Sequence, residues 1–219
     1  MEIIHENKAF IVVNKQAGLI SEKSPFEEIT VENQVLDHLQ AAVRNPFIGV
    51  IHRLDRVTSG VILFAKKKSA LVRFNGMFSE RKVQKTYLAI VAKKPPKEEA
   101  VLTHFLIKNK KDKRADVAPG KSKEALESKL SYKLLGKNEF GYLLEVKPTT
   151  GRFHQIRAQL AHIGLPIIGD EKYGSDQKYE ALSICLHAWK LSYPDLDSGE
   201  PKEYEGTMPD NEFWKFDLG

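Results

Sequence analysis

The run Val61-Ile62-Leu63-Phe64-Ala65 leaves the chain the fewest options. Five successive apolar residues, rich in β-branched and aromatic side chains, are too few for a membrane span and suit a strand buried on both faces. Thr58-Ser59-Gly60 punctuates it before, and three lysines, Lys66 to Lys68, after. Such a strand needs neighbours in a sheet and cover on each face. Ile3-Ile4 and Phe10 to Val13 flank Glu6-Asn7-Lys8 as the arms of a hairpin. Val31, Val35, Leu36 and Leu39 recur at helical spacing behind Thr30, a good helix cap. The spacing predicts a second helix over 69–81, with Leu71, Phe74 and Phe78 inward and Gly76 weakening it. Alternation predicts strands over 83–91, 132–135 and 142–146, with Gly136-Lys137-Asn138 as a turn, and a late strand over 183–193. Residues 151–164 read as the best helix and 107–127 as a charged loop around Pro119-Gly120. Strands in runs with few helices between them indicate an α+β fold, one domain over 1–219, and a 42% hydrophobic fraction is enough for a real core.

Charge is distributed unevenly. Between Lys108 and Lys123 lie seven cations and two anions, an excess equal to the net charge of +5 for the whole chain. From Asp195 onward there are eight acids and two lysines. A basic segment and an acidic tail suit a protein that meets a polyanion on one side, and equally suit solvated surface. Cys185 is the one cysteine, so no internal disulfide is expected, in keeping with a reducing, cytoplasmic setting. No signal peptide, membrane span or low-complexity linker is expected.

Motifs of other chemistries fail on spacing. Pro119-Gly120-Lys121-Ser122 resembles the end of a phosphate loop, but Ala115 stands where its first glycine belongs. His52-Arg53-Leu54-Asp55 lacks the kinase order, and Val57 spoils a nucleophile elbow at Ser59. The histidines and Cys185 have no zinc-ligand spacing. No metal or nucleotide cofactor is expected.

One constellation remains. In GRFHQIRAQLAHIG, residues 151–164, Phe153, Ile156, Leu160 and Ile163 fall on one helical face and His154, Gln155, Gln159 and His162 opposite. Arg157 falls at the edge of the apolar face. There it either snorkels to water or takes a carboxylate partner. Asp55 is the natural candidate: it lies between Arg53 and Arg56, just before the buried strand. A pair of that kind keeps a carboxylate ionised, as a nucleophile requires. Tyr87, in QKTYLAIV, is either a core tyrosine or, with Lys85 on the same sheet face, a phenol beside a cation in a cleft.

Four stretches in order resemble the RluA-type RNA pseudouridine synthases: IIHENKAFIVVNKQAG, HRLDRVTSGVILFAK, VQKTYLAIV and KPTTGRFHQIRAQLAHIGLPIIGDEKYG. The resemblance covers almost the whole chain and implies a mixed, mainly antiparallel sheet, a few flanking helices and a central RNA-binding cleft. It implies Asp55 as nucleophile, Tyr87 as active-site phenol and Arg157 as partner of the aspartate. Arg53 would fill the gap left by a flipped base, and His52, Arg56, Lys85, Arg152, His154 and Gln155 would meet the RNA. The implied reaction is isomerisation of uridine in transfer or ribosomal RNA, without cofactor or metal, by a monomer away from membranes. Asp55 would attack either uracil C6 or ribose C1′, and Tyr87 would act as base or stack under the uracil. Many relatives carry an S4-like RNA-binding module before the catalytic hairpin, and this chain is expected to be the catalytic domain alone. The family usually has proline where Gln16 stands, a small polar residue at Phe153 and often histidine at Gln159. A non-catalytic RNA-binding protein or chaperone on the same fold is the alternative. Asp55 weighs against it, because a pure binder gains nothing from an anion facing RNA. A glycosidase-like enzyme would want a second carboxylate in the motif.

Overall fold

The computed structural model describes residues 1–217. The strands and α-helices, in chain order, are β1 (Glu2–Glu6), β2 (Phe10–Lys15), α1 (Val31–Gln40), β3 (Gly49–Val50), β4 (Ser59–Ala65), α2 (Lys68–Ser79), β5 (Gln84–Val91), β6 (Glu99–Asn109), β7 (Arg114–Ala118), β8 (Leu126–Lys137), β9 (Tyr142–Pro148), α3 (Gln155–His162), β10 (Leu186–Pro194) and β11 (Pro201–Glu205). The class is α+β, and the registered strand pairs are antiparallel. The chain divides into two compact units. The first comprises Met1–Lys85 and Ala188–Met208, the second Thr86–His187 and the residues from Pro209 onward.

In the first unit β4 is buried along its whole length, as its composition demands. β2 runs antiparallel to it, Phe10 opposite Ala65 and Lys15 opposite Gly60. Period-two alternation sends Val61, Leu63 and Ala65 to one face, where Phe74 of α2 packs edge-on to Phe10 at 5.4 Å and Tyr193 at 5.1 Å. The hairpin of β1 and β2 turns where expected, Asn7 Oδ1 accepting from the backbone N–H of Ala9 and Phe10. Thr30 caps α1 by accepting from Asn33 N at 3.1 Å, and Val31, Val35 and Leu39 are the buried stripe. α2 passes through Gly76 unbroken.

The second unit orders its strands β5-β9-β8-β6-β7. Three expectations change here. Residues 107–127 are not a loop: β6 continues to Asn109, β7 returns from Arg114, and Lys108 faces Ala115 across the ladder. Lysines at a tight hairpin tip mimic loop composition, and only the turn needs to be solvated. β8 and β9 are also longer than expected, their turn lying at Asn138–Gly141, where Asn138 Oδ1 accepts from Phe140 N and Gly141 N. Gly136 falls inside β8 at a register shift. α3 is shorter than 151–164 and buried almost all round, including Gln155, Arg157 and Gln159. It was expected to carry Gln155 and Gln159 on the face opposite its apolar stripe. Ala158 packs on Leu106 and Ala115 of the β6–β7 hairpin instead.

The start of β4 is fixed by backbone approach. Gly60 sits at φ +116°, and a Cβ there would lie 2.2 Å from the Ala188 carbonyl oxygen. Gly60→Ala is therefore expected to cost about 2–3 kcal/mol or more, visible as a Tm lower by roughly 4–12 °C in a thermal melt. An unchanged melt would mean that the approach is relieved by a small strand shift.

Candidate active site

Asp55, in the first unit, lies on a segment pinned from both sides. Ser21 bridges the backbone of Leu54, its hydroxyl donating to Leu54 O at 2.9 Å and accepting from Leu54 N at 3.0 Å. Gly18 N donates to Arg56 O at 2.8 Å, while Arg56 Nε donates to Gly18 O at 2.9 Å. Thr58 N closes the turn on Asp55 O at 3.0 Å. The half-buried ring of His52 accepts from Leu63 N at 3.1 Å and stacks on Phe78, tying the same segment to β4 and α2. The sequence reading missed what underlies it all. Lys15, 2% exposed at the end of β2, donates from Nζ to the carbonyls of Gln16 (3.0 Å), Leu19 (2.7 Å) and Arg56 (3.1 Å). Burial pushes its ammonium down to about 7, the Asp55 carboxylate acting to raise it and the Arg56 guanidinium to lower it. The signal was a lysine ending an apolar strand and followed by Gln-Ala-Gly.

The two arginines beside Asp55 are already paired. Exposed Arg53 meets Glu22, and Arg56 Nη1 meets Glu27 at 2.8 Å. Lys85 is partly buried, with its ammonium 5.9 Å from the Phe78 ring centre, and burial pushes it below the usual lysine range.

In the second unit Tyr87 is 7% exposed on β5, opposite Val146. Arg157 does have a carboxylate partner, and one the sequence reading did not name: Asp170. Nε donates to Oδ2 at 2.7 Å and Nη2 to Oδ1 at 2.8 Å, a bidentate fork with the residues 5% and 2% exposed. Asp170 arrives because Ile168 N bonds Ile90 O and the chain then turns at Gly169, φ +85°. His154, in the left-handed region at φ +50°, accepts at Nε2 from Arg157 Nη1 at 3.0 Å. Its proton is therefore assigned to Nδ1, which donates to Tyr173 Oη at 3.1 Å. Tyr173 Oη also accepts from Ala115 N at 2.7 Å, tethering the basic hairpin. Burial, reinforced by the Arg157 charge, pushes His154 down to about 3. Gln155 turns its amide inward, accepting from Thr150 Oγ1 and Arg152 N and donating to Lys129 O. Gln159 likewise joins Leu102, Ser128 and His104. Arg152 is exposed, its Nε 3.4 Å from Glu127 O. Among the described residues no three His, Cys, Asp or Glu side chains cluster to hold a metal, and no helix is long and apolar enough to cross a membrane.

Comparison with known proteins places these residues in context. A family model described as RNA pseudouridylate synthase matches residues 9–162. The tRNA pseudouridine synthase C of Vibrio parahaemolyticus is 34% identical over 218 residues, a match covering 88% of this chain and 84% of that protein. The ribosomal large subunit pseudouridine synthase D of Borreliella burgdorferi is also 34% identical, over 94% of this chain and 65% of its own length. Among solved structures, human RNA pseudouridylate synthase domain containing 1 superposes with TM-score 0.75 at 26% identity, over 95% of this chain and 83% of its own. Human domain containing 4 gives TM-score 0.78 at 24% identity, over 95% and 89%, a likeness of fold.

Removing one member of a buried ion pair strands the other, so Asp170→Ala is expected to lose about 3–5 kcal/mol by denaturant melt. An unaltered midpoint would show that Arg157 is held in place without Asp170. His154 is neutral when folded but binds a proton below its ordinary value of 6.5 when unfolded. The unfolded state thus binds more protons between about 6.5 and 3, and stability falls as pH drops through that window. His154→Gln is expected to flatten the acid limb of a Tm–pH profile, and a variant limb as steep as the parent's would count against the assignment.

Proposed function

The chain belongs to the RNA pseudouridylate synthase family, a family of isomerases, and from that premise we propose that it converts uridine in structured transfer or ribosomal RNA to pseudouridine with Asp55 as nucleophile. The observation that carries the assignment is the pinning of Asp55. It is a carboxylate between two arginines, its neighbours fixed by Lys15, Gly18 and Ser21. Covalent catalysis needs its nucleophile at a fixed distance from the reacting carbon, and such a cradle supplies it.

In the proposed reaction the target uridine leaves its stack, at a cost of a few kcal/mol. Asp55 bonds to the uridine, the N1–C1′ bond breaks, the uracil turns, and C5 bonds to C1′. The C5 proton departs, N1 takes up a proton in its place and the Asp55 bond is released, so the isomerisation balances without oxidant or co-reactant. Arg53 exchanges Glu22 for the gap left by the base, since a planar guanidinium stacks like one. Tyr87 and Arg157 serve the same reaction, the phenol at the uracil and the guanidinium as a fixed positive charge. Lys110, Lys111, Lys113 and Arg114 at the hairpin tip meet phosphates, which gives affinity and little sequence choice. Relatives acting on both RNA classes match at the same identity, so a pseudouridine map of both classes from cells lacking the protein identifies the target.

Tritium release from C5-labelled uridine tests the reaction. The parent is expected to release the label and Asp55→Asn to release it at about a hundredth of that rate or less, while still binding RNA in a filter assay. Turnover by the amide variant above that level would remove Asp55 from the nucleophile's role. An inert parent that binds RNA would favour the non-catalytic alternative.

A further inference from the structure

Phe153 is 41% exposed, two residues before α3, whose residues from Gln155 to Leu160 are buried. A lone exposed phenylalanine needs no explanation, but this one stands in built surroundings. The imidazole of His154 lies flat against it, centroids 3.8 Å apart and planes within 20°. That imidazole is held by Arg157 on one nitrogen and Tyr173 on the other, so the ring has a rigid backing. The Lys108 ammonium stands 4.9 Å from the Phe153 centroid, on the strand that leads into the lysine-rich hairpin tip. A partly exposed aromatic ring beside cations is the combination by which proteins hold unpaired bases and their phosphates.

Resting on the reading of RNA as substrate, we propose that Phe153 is a stacking platform for an unpaired nucleobase near the target uridine and helps to select the RNA this enzyme modifies. Competition for the ring favours the base. Base stacking on an aromatic side chain is worth roughly 5- to 150-fold in affinity. An exposed lysine–ring contact is worth roughly 2- to 5-fold. The arriving base displaces Lys108, whose ammonium then meets the adjoining phosphate.

The experiment measures binding and steady-state kinetics of the parent, Phe153→Ala, Phe153→Leu and Phe153→Trp. The substrates are the mapped RNA and versions in which each unpaired nucleotide near the target is made abasic. Phe153→Ala and Phe153→Leu are expected to bind roughly 5- to 150-fold more weakly, with the loss falling on KM rather than kcat, and Phe153→Trp to bind like the parent. One abasic position should weaken the parent and leave Phe153→Ala unaffected. The proposal falls if leucine serves as well as tryptophan, or if every abasic change costs Phe153→Ala as much as it costs the parent. It also falls if the variants lose a concentration-dependent self-association instead of RNA affinity. A parent that releases tritium while Phe153→Ala binds normally removes the platform alone, whereas a parent inert toward RNA removes the substrate reading and the platform with it.

Discussion

Much of the second unit hangs on one pair of charges almost out of water, Arg157 and Asp170. Burying each ion costs several kcal/mol, recovered only when geometry and remaining hydrogen bonds are satisfied. Here Nε and Nη2 take both carboxylate oxygens and Nη1 takes His154. The order spreads outward. Asp170 O accepts from Tyr173 N and Ser175 N, and Tyr173 reaches across to Ala115 of β7. Helix, loop and hairpin are thereby fixed to one another. Such a pair adds little net stability over an apolar replacement.

The first unit solves the same problem differently. Lys15 is buried against three neutral carbonyls, with the Asp55 charge close enough to act on it. A guanidinium keeps its charge at any physiological pH. An ammonium pushed down to about 7 keeps its charge only conditionally. One anchor is thus a permanent charge, whereas burial works against the charge of the other.

β4 and α1 were legible because their patterns have a single physical solution: an unbroken apolar run must be covered twice, and a capped apolar stripe must be a helix. Asp55 stood out because carboxylates are rarely placed between arginines without purpose. Arg157 was legible only as an arginine at the edge of an apolar face, open to water or to a carboxylate, and Asp170 was not legible as a partner, because thirteen residues and a glycine turn separate them and no local pattern encodes a long-range salt bridge. The hairpin was misread because polarity marks exposure, not the absence of a ladder. Gln155 and Gln159 defeated the amphipathic reading for the converse reason: an amide whose N–H groups find acceptors in the interior can be buried.

The two units interrupt each other along the chain. The strands that extend the sheet of the first unit beyond β4, β10 and β11, belong to residues from 186 on, 121 positions after β4 ends at Ala65. A chain still emerging from the ribosome therefore carries an apolar strand whose edge is paired by β3 only at Phe64 and Ala65 until β10 has been made. Through that interval the N-terminal portion is an open template for aggregation, and a chain cut short in the middle keeps that exposure permanently. The protein's vulnerability lies in its synthesis as much as in its finished state.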